Sequence, residues 1–125
     1  VYVFNRETGE PIFPINEAPV DTTTHIPGEK LWPTQPIPTL PKPFVRQVFT
    51  EADINPYLAD SSKAAISKQL ASYRYGKMFI PPGTQTAVQF PGLDGGAEWG
   101  GPSFDPETGF LYVNANEMPW LMTLM

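Results

Sequence analysis

Apolar and polar positions along this chain alternate over short stretches that end in turn-forming residues, which is typical of β-hairpins. Residues 1–13 predict a strand, a turn and a second strand, because β-forming side chains run up to Asn5 and Gly9 favours positive φ. The same pattern, an aromatic residue followed by Asn or Asp, any residue, Glu, Thr and Gly, returns at residues 104–109. With the aromatic and β-branched run at residues 110–113 it predicts a second hairpin. Two copies of one turn indicate a repeating β architecture.

One central stretch has helical spacing instead and predicts two short helices. Thr50 opens the first as its cap, with the Asp53 carboxylate reaching back to it. A longer helix follows, for which Asp60 or Ser61 is the predicted cap and Gly76 the predicted stop. We expect its apolar stripe to pack as core; the stripe consists of Ile66, Leu70 and Tyr73.

Proline shapes most of the remaining chain, which contains 16 prolines and 10 glycines in 125 residues. This composition predicts little regular secondary structure. The prolines are densest at residues 32–43, where the backbone must be extended and polyproline-like. Two interpretations stay open there: a connector draped over a larger body, or a ligand for the aromatic groove of a partner domain. Apolar side chains favour the connector, namely Trp32, Ile37, Leu40 and Phe44.

These patterns divide residues 1–125, as a single fragment, into four parts. We expect a hairpin over residues 1–15, a proline-rich connector over residues 16–49 and a helical insertion over residues 50–76. Residues 77–125 then hold extended chain, a turn, a short strand, a glycine-rich loop and the second hairpin. Because the chain starts inside a strand and ends while still apolar, we expect an internal segment of a longer protein. The predicted fold class is mainly β with a short α-helical insertion.

Charge and residue content exclude several functions. The net charge of −5 and the absence of a Lys/Arg cluster argue against nucleic-acid binding. There is no cysteine, and His25 is the only histidine, so neither a thiolate site nor a Ser-His or multi-His centre can be assembled. The carboxylates lack EF-hand spacing, and we expect structural roles for most of them; they are Asp53, Asp60, Asp94, Asp105, Glu107 and Glu117.

Residues 95–101, here called the glycine-tryptophan loop, place Glu98 and Trp99 between two glycine pairs. Glycine lets the backbone come close to another group and adopt positive φ without penalty. The loop is therefore a candidate to face a flat ligand, with Glu98 accepting hydrogen bonds from it. The alternative for Glu98 is a solvent-exposed loop acid, and the residues alone leave both interpretations open.

Three motifs around this loop carry a family resemblance. The segments Phe90-Pro91-Gly92, residues 95–101 and Phe104-Asp105-Pro106 resemble the quinoprotein dehydrogenases, in particular the membrane-bound glucose dehydrogenase type that uses pyrroloquinoline quinone (PQQ). The order and spacing of the motifs are specific when taken together. Further similar stretches precede them, namely Thr34-Gln35-Pro36, Tyr73-Arg74-Tyr75-Gly76 and Phe79-Ile80-Pro81-Pro82.

The resemblance implies an eight-bladed β-propeller with PQQ near its axis, a calcium ion beside the quinone, and oxidation of a sugar or alcohol by hydride transfer to the quinone. Related alcohol dehydrogenases have an asparagine-tryptophan pair in this loop, and the asparagine contacts the cofactor. Here Glu98 inherits that position beside Trp99, so the two are the candidate cofactor-binding residues. The family's catalytic aspartate and calcium ligands have no match in this chain, so we expect no catalytic residue and no metal ligand within it.

Two hypotheses follow. In the first, the chain is a fragment of a periplasmic or periplasm-facing, membrane-bound PQQ dehydrogenase, inactive alone, whose partner is the rest of the propeller. In the second, it is a non-catalytic binding or scaffold module built from propeller-like hairpins. Open sheet edges also predict self-association.

Overall fold

The computed structural model describes residues 1–97 and 100–125. The elements of that part are β1 (Ile15–Pro19), β2 (Thr34–Pro38), a 3-10 helix (Glu51–Asp53), α1 (Asp60–Leu70), β3 (Ala87–Gln89), β4 (Ser103–Phe104), β5 (Leu111–Tyr112) and β6 (Trp120–Met122). The strands form three two-stranded antiparallel sheets, β1 with β2, β3 with β6 and β4 with β5. The predicted class, mainly β with a helical insertion, is confirmed at this level. The described strands do not close into a complete propeller.

The two predicted turns share two characteristic hydrogen bonds. In the first, the Gly9 N–H donates to the Asn5 carbonyl at 2.8 Å, and Asn5 Oδ1 accepts from the Glu7 N–H at 2.8 Å. In the second, the Gly109 N–H donates to the Asp105 carbonyl at 2.9 Å, and the Asp105 side chain accepts from the Glu107 N–H at 2.9 Å. Both glycines have positive φ, 75° and 72°. The repeated turn is therefore confirmed.

The proline-rich connector is extended, as predicted, but it is paired as well, which the sequence interpretation missed. β1 and β2 align Ile15 with Pro38 and Pro19 with Thr34. Proline lacks an N–H, so it is tolerated in strands that have an open edge, and a two-stranded ribbon consists of such strands only. The Tyr2 hydroxyl donates to the Pro36 carbonyl at 2.5 Å and thereby joins the first hairpin to this ribbon.

The helical insertion lies where it was predicted, with different ends. The Asp53 carboxylate accepts from the Thr50 N–H at 2.7 Å, as expected for the short helix. The cap predicted for the longer helix is wrong: its N-cap is Ala59, and Asp60 lies inside the first turn. There its carboxylate pairs with Lys63 at 3.0 Å. Its negative charge also interacts favourably with the positive end of the helix dipole.

The predicted stop at Gly76 is also wrong, because α1 ends at Leu70. The chain leaves the helix early in order to pair: the Arg74 N–H donates to the Thr86 carbonyl, and the Val88 N–H donates to the Arg74 carbonyl, both at 2.9 Å. Within the described residues, no helix has the length and apolar character needed to cross a membrane.

The core is small and is centred on β3. Among described apolar residues the buried ones are Leu70, Ile80, Ala87 and Val88. The stripe that was predicted to pack as core does so in part, since Leu70 is buried while Ile66 and Tyr73 are half-buried. All three line a cavity of about 250 Å³ with Val88 and Leu121. Many large apolar side chains stay exposed, including Trp32 at 74%. Trp32 belongs to the connector that was predicted to lie over a larger body, and within this chain no described residue covers most of it.

Candidate functional site

The glycine-tryptophan loop is described at its two ends. Glu98 and Trp99, the predicted cofactor-binding residues, lie outside the described residues, so their role stays a prediction. The first end of the loop pairs with the chain that follows the second hairpin. An isolated antiparallel bridge joins Ala97 to Ala115, and the Asn116 N–H donates to the Gly96 carbonyl at 2.8 Å. This end therefore has a fixed backbone position.

One further rung extends this pairing toward β3. The Gly92 N–H donates to the Met118 carbonyl at 2.9 Å, and the Gly95 N–H closes a turn on the Gly92 carbonyl at 2.9 Å. Backbone hydrogen bonds thus connect residues 92–97 to residues 115–118 on both sides of Glu117. The position of the loop base depends on how that second segment is held.

The glycines of this region differ in what lies next to them. A Cβ at Gly92 would overlap the Trp120 ring, and a Cβ at Gly96 would overlap Val45 Cγ2 and lie 3.1 Å from Pro91 Cγ. These two glycines therefore allow close approach within the chain itself. Within the part of the chain that the structure describes, a Cβ at Gly100 or Gly101 would meet no atom within 4 Å. If the loop backbone approaches a ligand closely, as predicted, it does so at its second end, Gly100 and Gly101.

Arg46 holds the segment paired with the loop. Its backbone N–H donates to Glu117 Oε1 at 2.7 Å, and its guanidinium Nε donates to Glu117 Oε2 at 2.6 Å. The guanidinium also pairs with the Asp53 carboxylate and lies 5.6 Å from the centre of the Phe90 ring. We call Arg46, Asp53, Phe90 and Glu117 the Arg46 cluster. It joins the helical insertion, the start of the loop region and the segment between the second hairpin and β6.

The charges of the Arg46 cluster stabilise one another. Hydrogen bonds from the Arg46 side chain and backbone lower the pKa of Glu117, and the Glu117 carboxylate raises the pKa of Arg46 in return. Hydrogen bonds from Thr50 lower the pKa of Asp53, with a smaller contribution from Arg46. All of these groups are therefore charged at neutral pH. The Arg46 side chain is 52% exposed, so the cluster lies at the surface.

A cavity of about 380 Å³ adjoins the first end of the loop. Its described lining is mostly apolar and contains no cationic side chain, and the polar side chain in it is Gln47. The Gln47 amide donates to the Val45 carbonyl at 3.0 Å, which fixes its orientation. The other lining residues are Val1, Pro43, Phe44, Val45, Pro91, Gly95, Gly96 and Ala97.

A second arginine cluster lies elsewhere, beside the proline ribbon. Arg74 donates to the Pro81 carbonyl at 2.8 Å and the Thr23 carbonyl at 3.2 Å, and its guanidinium lies 3.6 Å from the Asp21 carboxylate. Lys77 lies 3.5 Å from the same carboxylate. Hydrogen bonds from Thr23, with a smaller contribution from Lys77, lower the pKa of Asp21 to about 2. We call Asp21, Arg74 and Lys77 the Arg74 cluster.

The other predicted residues have structural or exposed positions. His25 is exposed, and Asp105 serves its turn, as expected. In the described part of the chain, no three His, Asp or Glu side chains come together as a metal site would need. The sequence interpretation missed Arg46, because its acidic partners lie 7 and 71 residues away and belong to no motif.

The whole chain, residues 1–125, matches the PQQ family model described as glucose/ethanol/alcohol dehydrogenase, β-propeller domain. It is 33% identical over 122 residues to the glycerol dehydrogenase large subunit of Gluconobacter thailandicus, which covers 94% of this chain and 16% of that protein. It is 34% identical over 116 residues to the quinate/shikimate dehydrogenase (quinone) of Acinetobacter baylyi, which covers 90% of this chain and 14% of that protein.

A third relative is the quinoprotein glucose dehydrogenase of Gluconobacter oxydans, 31% identical over 127 residues, with 100% of this chain and 15% of that protein covered. The chain therefore spans about a sixth of the length of these relatives. No solved structure matches it.

Proposed function

The chain belongs to the glucose/ethanol/alcohol dehydrogenase β-propeller family, and we propose that it forms part of a PQQ-dependent dehydrogenase in which Glu98 and Trp99 contact the cofactor. Its hairpins at residues 1–15 and 77–125, its connector at residues 16–49 and its insertion at residues 50–76 then belong to one eight-bladed propeller. Catalytic residues and calcium ligands come from the rest of that protein. The chain by itself is inactive.

The observation that carries this proposal is the contrast between the two ends of the loop. The first end is fixed by hydrogen bonds to residues 115–118, whereas a side chain at Gly100 or Gly101 would meet no atom of the described residues within 4 Å. A fixed base with an open glycine pair is what a backbone needs to approach a flat ring closely and in one orientation. Trp99 lies between these ends in the sequence and offers a planar face for stacking.

The described residues fit one wall of a PQQ site. PQQ is planar and carries several carboxylates, and the cavity beside the loop offers apolar surface and the Gln47 amide, with no cationic side chain in its described lining. Such a wall suits the faces of the ring system, while the carboxylates need cations from other parts of the enzyme. When bound, the quinone supplies the hydride acceptor, and the residues of this chain orient it.

Glu98 has a specific place in this proposal. Its carboxylate would repel the carboxylates of PQQ, since like charges in a site of low polarity destabilise one another. We assign it instead to a hydrogen-bond donor on the ring system. Glu98→Gln keeps the shape and removes the charge, so it should weaken PQQ binding and leave the calcium requirement of the whole enzyme unchanged.

The substrate we propose is a small hydroxylated compound, a sugar or an alcohol. The relatives support this class, because their names specify glycerol, quinate or shikimate, and glucose. The resemblance to membrane-bound glucose dehydrogenases supports a periplasmic or periplasm-facing location. Activity of the whole protein on glucose and on glycerol, compared at equal PQQ saturation, distinguishes the sugar from the simple polyol.

The test of the cofactor site is Trp99→Ala in the whole dehydrogenase that contains this chain, measured by PQQ titration. Loss of a stacked indole should weaken PQQ binding by about tenfold, since such a contact is worth about 1 kcal/mol beyond the area it buries. Trp32→Ala is the matched control, because Trp32 is exposed and lines a different groove. Equal PQQ affinity in the Trp99 variant and the wild type would exclude the loop from the site.

The scaffold alternative predicts that the isolated chain is compact, monomeric and cooperatively folded. The exposure of all four residues of β4 and β5, among them Phe104, Leu111 and Tyr112, argues against this, and so do the open edges of the sheet. We therefore propose that the isolated chain self-associates. Sedimentation of the chain over a range of concentrations tests this, and a monomer at every concentration would favour the scaffold.

A further inference from the structure

We propose that Val45 and Arg46 are positioning residues for the cofactor: together they clamp the described base of the glycine-tryptophan loop, residues 92–97, and PQQ binding depends on that clamp. This inference rests on the proposed function, since it concerns the same loop. It assigns a task to two residues that lie in the proline-rich connector, far from the loop in sequence.

Val45 acts through shape. Its Cγ2 atom occupies the space that a side chain at residue 96 would fill, and Pro91 bounds the same space from another side. Gly96 does not have positive φ, so the glycine is required there by close packing and not by backbone conformation. Val45 therefore fixes the distance between the connector and the first end of the loop.

Arg46 acts through Glu117. The two backbone rungs that hold the loop base come from Asn116 and Met118, the residues on either side of Glu117. Arg46 binds both oxygens of the Glu117 carboxylate, one with its backbone N–H and the other with its guanidinium. Such a two-point contact fixes orientation as well as distance. Because Val45 and Arg46 are adjacent, one short segment contacts both paired segments of the loop base, residues 92–97 and residues 115–118.

The same clamp couples the helical insertion to the loop. The Arg46 guanidinium pairs with Asp53, at the end of the 3-10 helix, and lies over the ring of Phe90, which precedes the loop. Phe90 in turn makes an edge contact with Phe49, at 5.7 Å between ring centres. We therefore expect a displacement of the helical insertion to be transmitted to the loop base by the Arg46 side chain, which contacts both.

The first experiment is a rescue in the whole dehydrogenase. Gly96→Ala should push the loop away from Val45 and weaken PQQ binding by about tenfold, as expected when a binding group is misplaced by a fraction of an ångström or more. Val45→Ala removes the overlapping Cγ2 atom, so the double variant should recover most of the affinity. Gly83→Ala is the matched control, since its new Cβ meets Arg74 Nη1 at an ordinary 3.9 Å.

The second experiment compares two arginines. Arg46→Ala should weaken PQQ binding by about threefold to tenfold and alter the absorption spectrum of the bound quinone, with little effect on thermal stability. Arg74→Ala should lower thermal stability and leave PQQ affinity nearly unchanged, since Arg74 is less exposed and bonds to another part of the chain. Arg46→Lys keeps the charge and the backbone N–H contact but loses the planar guanidinium that bonds Glu117 and Asp53 together, and should restore little of the affinity.

The outcomes separate this inference from the proposed function. If the wild type does not bind PQQ, or if Trp99→Ala leaves its affinity unchanged, the proposed function fails. If Trp99→Ala weakens binding while Gly96→Ala and Arg46→Ala do not, the loop contacts the cofactor but the clamp is wrong. If Val45→Ala fails to rescue Gly96→Ala, the packing of residues 45 and 96 is not what positions the loop.

Discussion

The two arginine clusters use the same chemistry for different tasks. Arg74 is 16% exposed and its acidic partner Asp21 is 13% exposed, whereas Arg46 is 52% exposed and its partner Glu117 is 33% exposed. Arg74 also satisfies two backbone carbonyls, those of Thr23 and Pro81, and so ties the end of the proline ribbon to the chain beside β3. Arg46 bonds to two carboxylates instead and joins segments around the loop.

The difference in exposure indicates which cluster stabilises the fold and which one orients the segments of the candidate site. Removing a partly buried charge leaves its partners without compensation, and this is costly. An exposed ion pair contributes little to stability, because water and salt screen it, yet its geometry can still orient the segments that it joins. The Arg74 cluster is therefore expected to stabilise the fold, and the Arg46 cluster to orient the candidate site.

The largest expected effect is that of Arg74→Ala on local stability. The variant leaves two carbonyls and Asp21 with fewer partners, and should lower the local free energy of opening by about 2 kcal/mol. Native-state hydrogen exchange measures this free energy of opening directly at two amides. The amide of residue 74 donates to the Thr86 carbonyl, and the Val88 amide donates to the carbonyl of residue 74. The Gly92 amide, in the loop base, is the internal control. Equal acceleration at Gly92 would remove the distinction between the clusters.

The contrast also indicates which features of the structure could be predicted from the sequence. Each of the two repeated turns is specified by a few consecutive residues, so Asn5 and Asp105 could be assigned their roles in advance. The short strand at Ala87–Gln89 was predicted for the same reason, since its pattern is local. The position of α1 was predicted as well, but its ends were wrong, because pairing of Arg74 with the chain beside β3 ends the helical region early.

What the sequence did not indicate depends on distant partners. The ribbon of β1 and β2 was missed because its prolines hide the strand pattern, and pairing is decided by a segment on the other side of a long loop. The Arg46 cluster was missed because Glu117 lies 71 residues away. The cofactor interpretation came from the family resemblance, which the family match supports. The specific role of Glu98 and Trp99 stays a prediction.

An intermediate effect is expected from acid on the Arg74 cluster. The folded pKa of Asp21, about 2, lies below the ordinary value of an aspartate in an unfolded chain, about 3.9. The carboxylate therefore stabilises the fold above about pH 4, and this contribution is lost as the pH falls toward about 2. Asp21→Asn should cost about 1 kcal/mol at neutral pH, after allowance for screening, and only a small fraction of that near pH 2, where about half of the folded carboxylate is protonated.

Exchange of the Val88 amide at several pH values, after correction for the intrinsic rate, tests this sign. Asp60→Asn is the matched control, since the Asp60 side chain is fully exposed and pairs with Lys63 on the helix surface. A difference between Asp21→Asn and the wild type that persists unchanged at about pH 2 would show that the charge of Asp21 is not what stabilises this region.

The smallest expected effect is that of salt on the Arg46 cluster. Arg46→Ala should accelerate exchange of the Gly92 amide by about threefold at low salt. About 1 M salt should erase most of this difference, because the Debye length then falls to about 3 Å and exposed charges are screened from one another. The effect of Arg74→Ala on Val88 should persist in the same salt, since burial shields that pair. If salt erases both effects equally, exposure does not distinguish the clusters. If salt erases neither, the Arg46 pairs are not screened as their exposure requires, and the contrast between an exposed and a partly buried cluster is wrong as well.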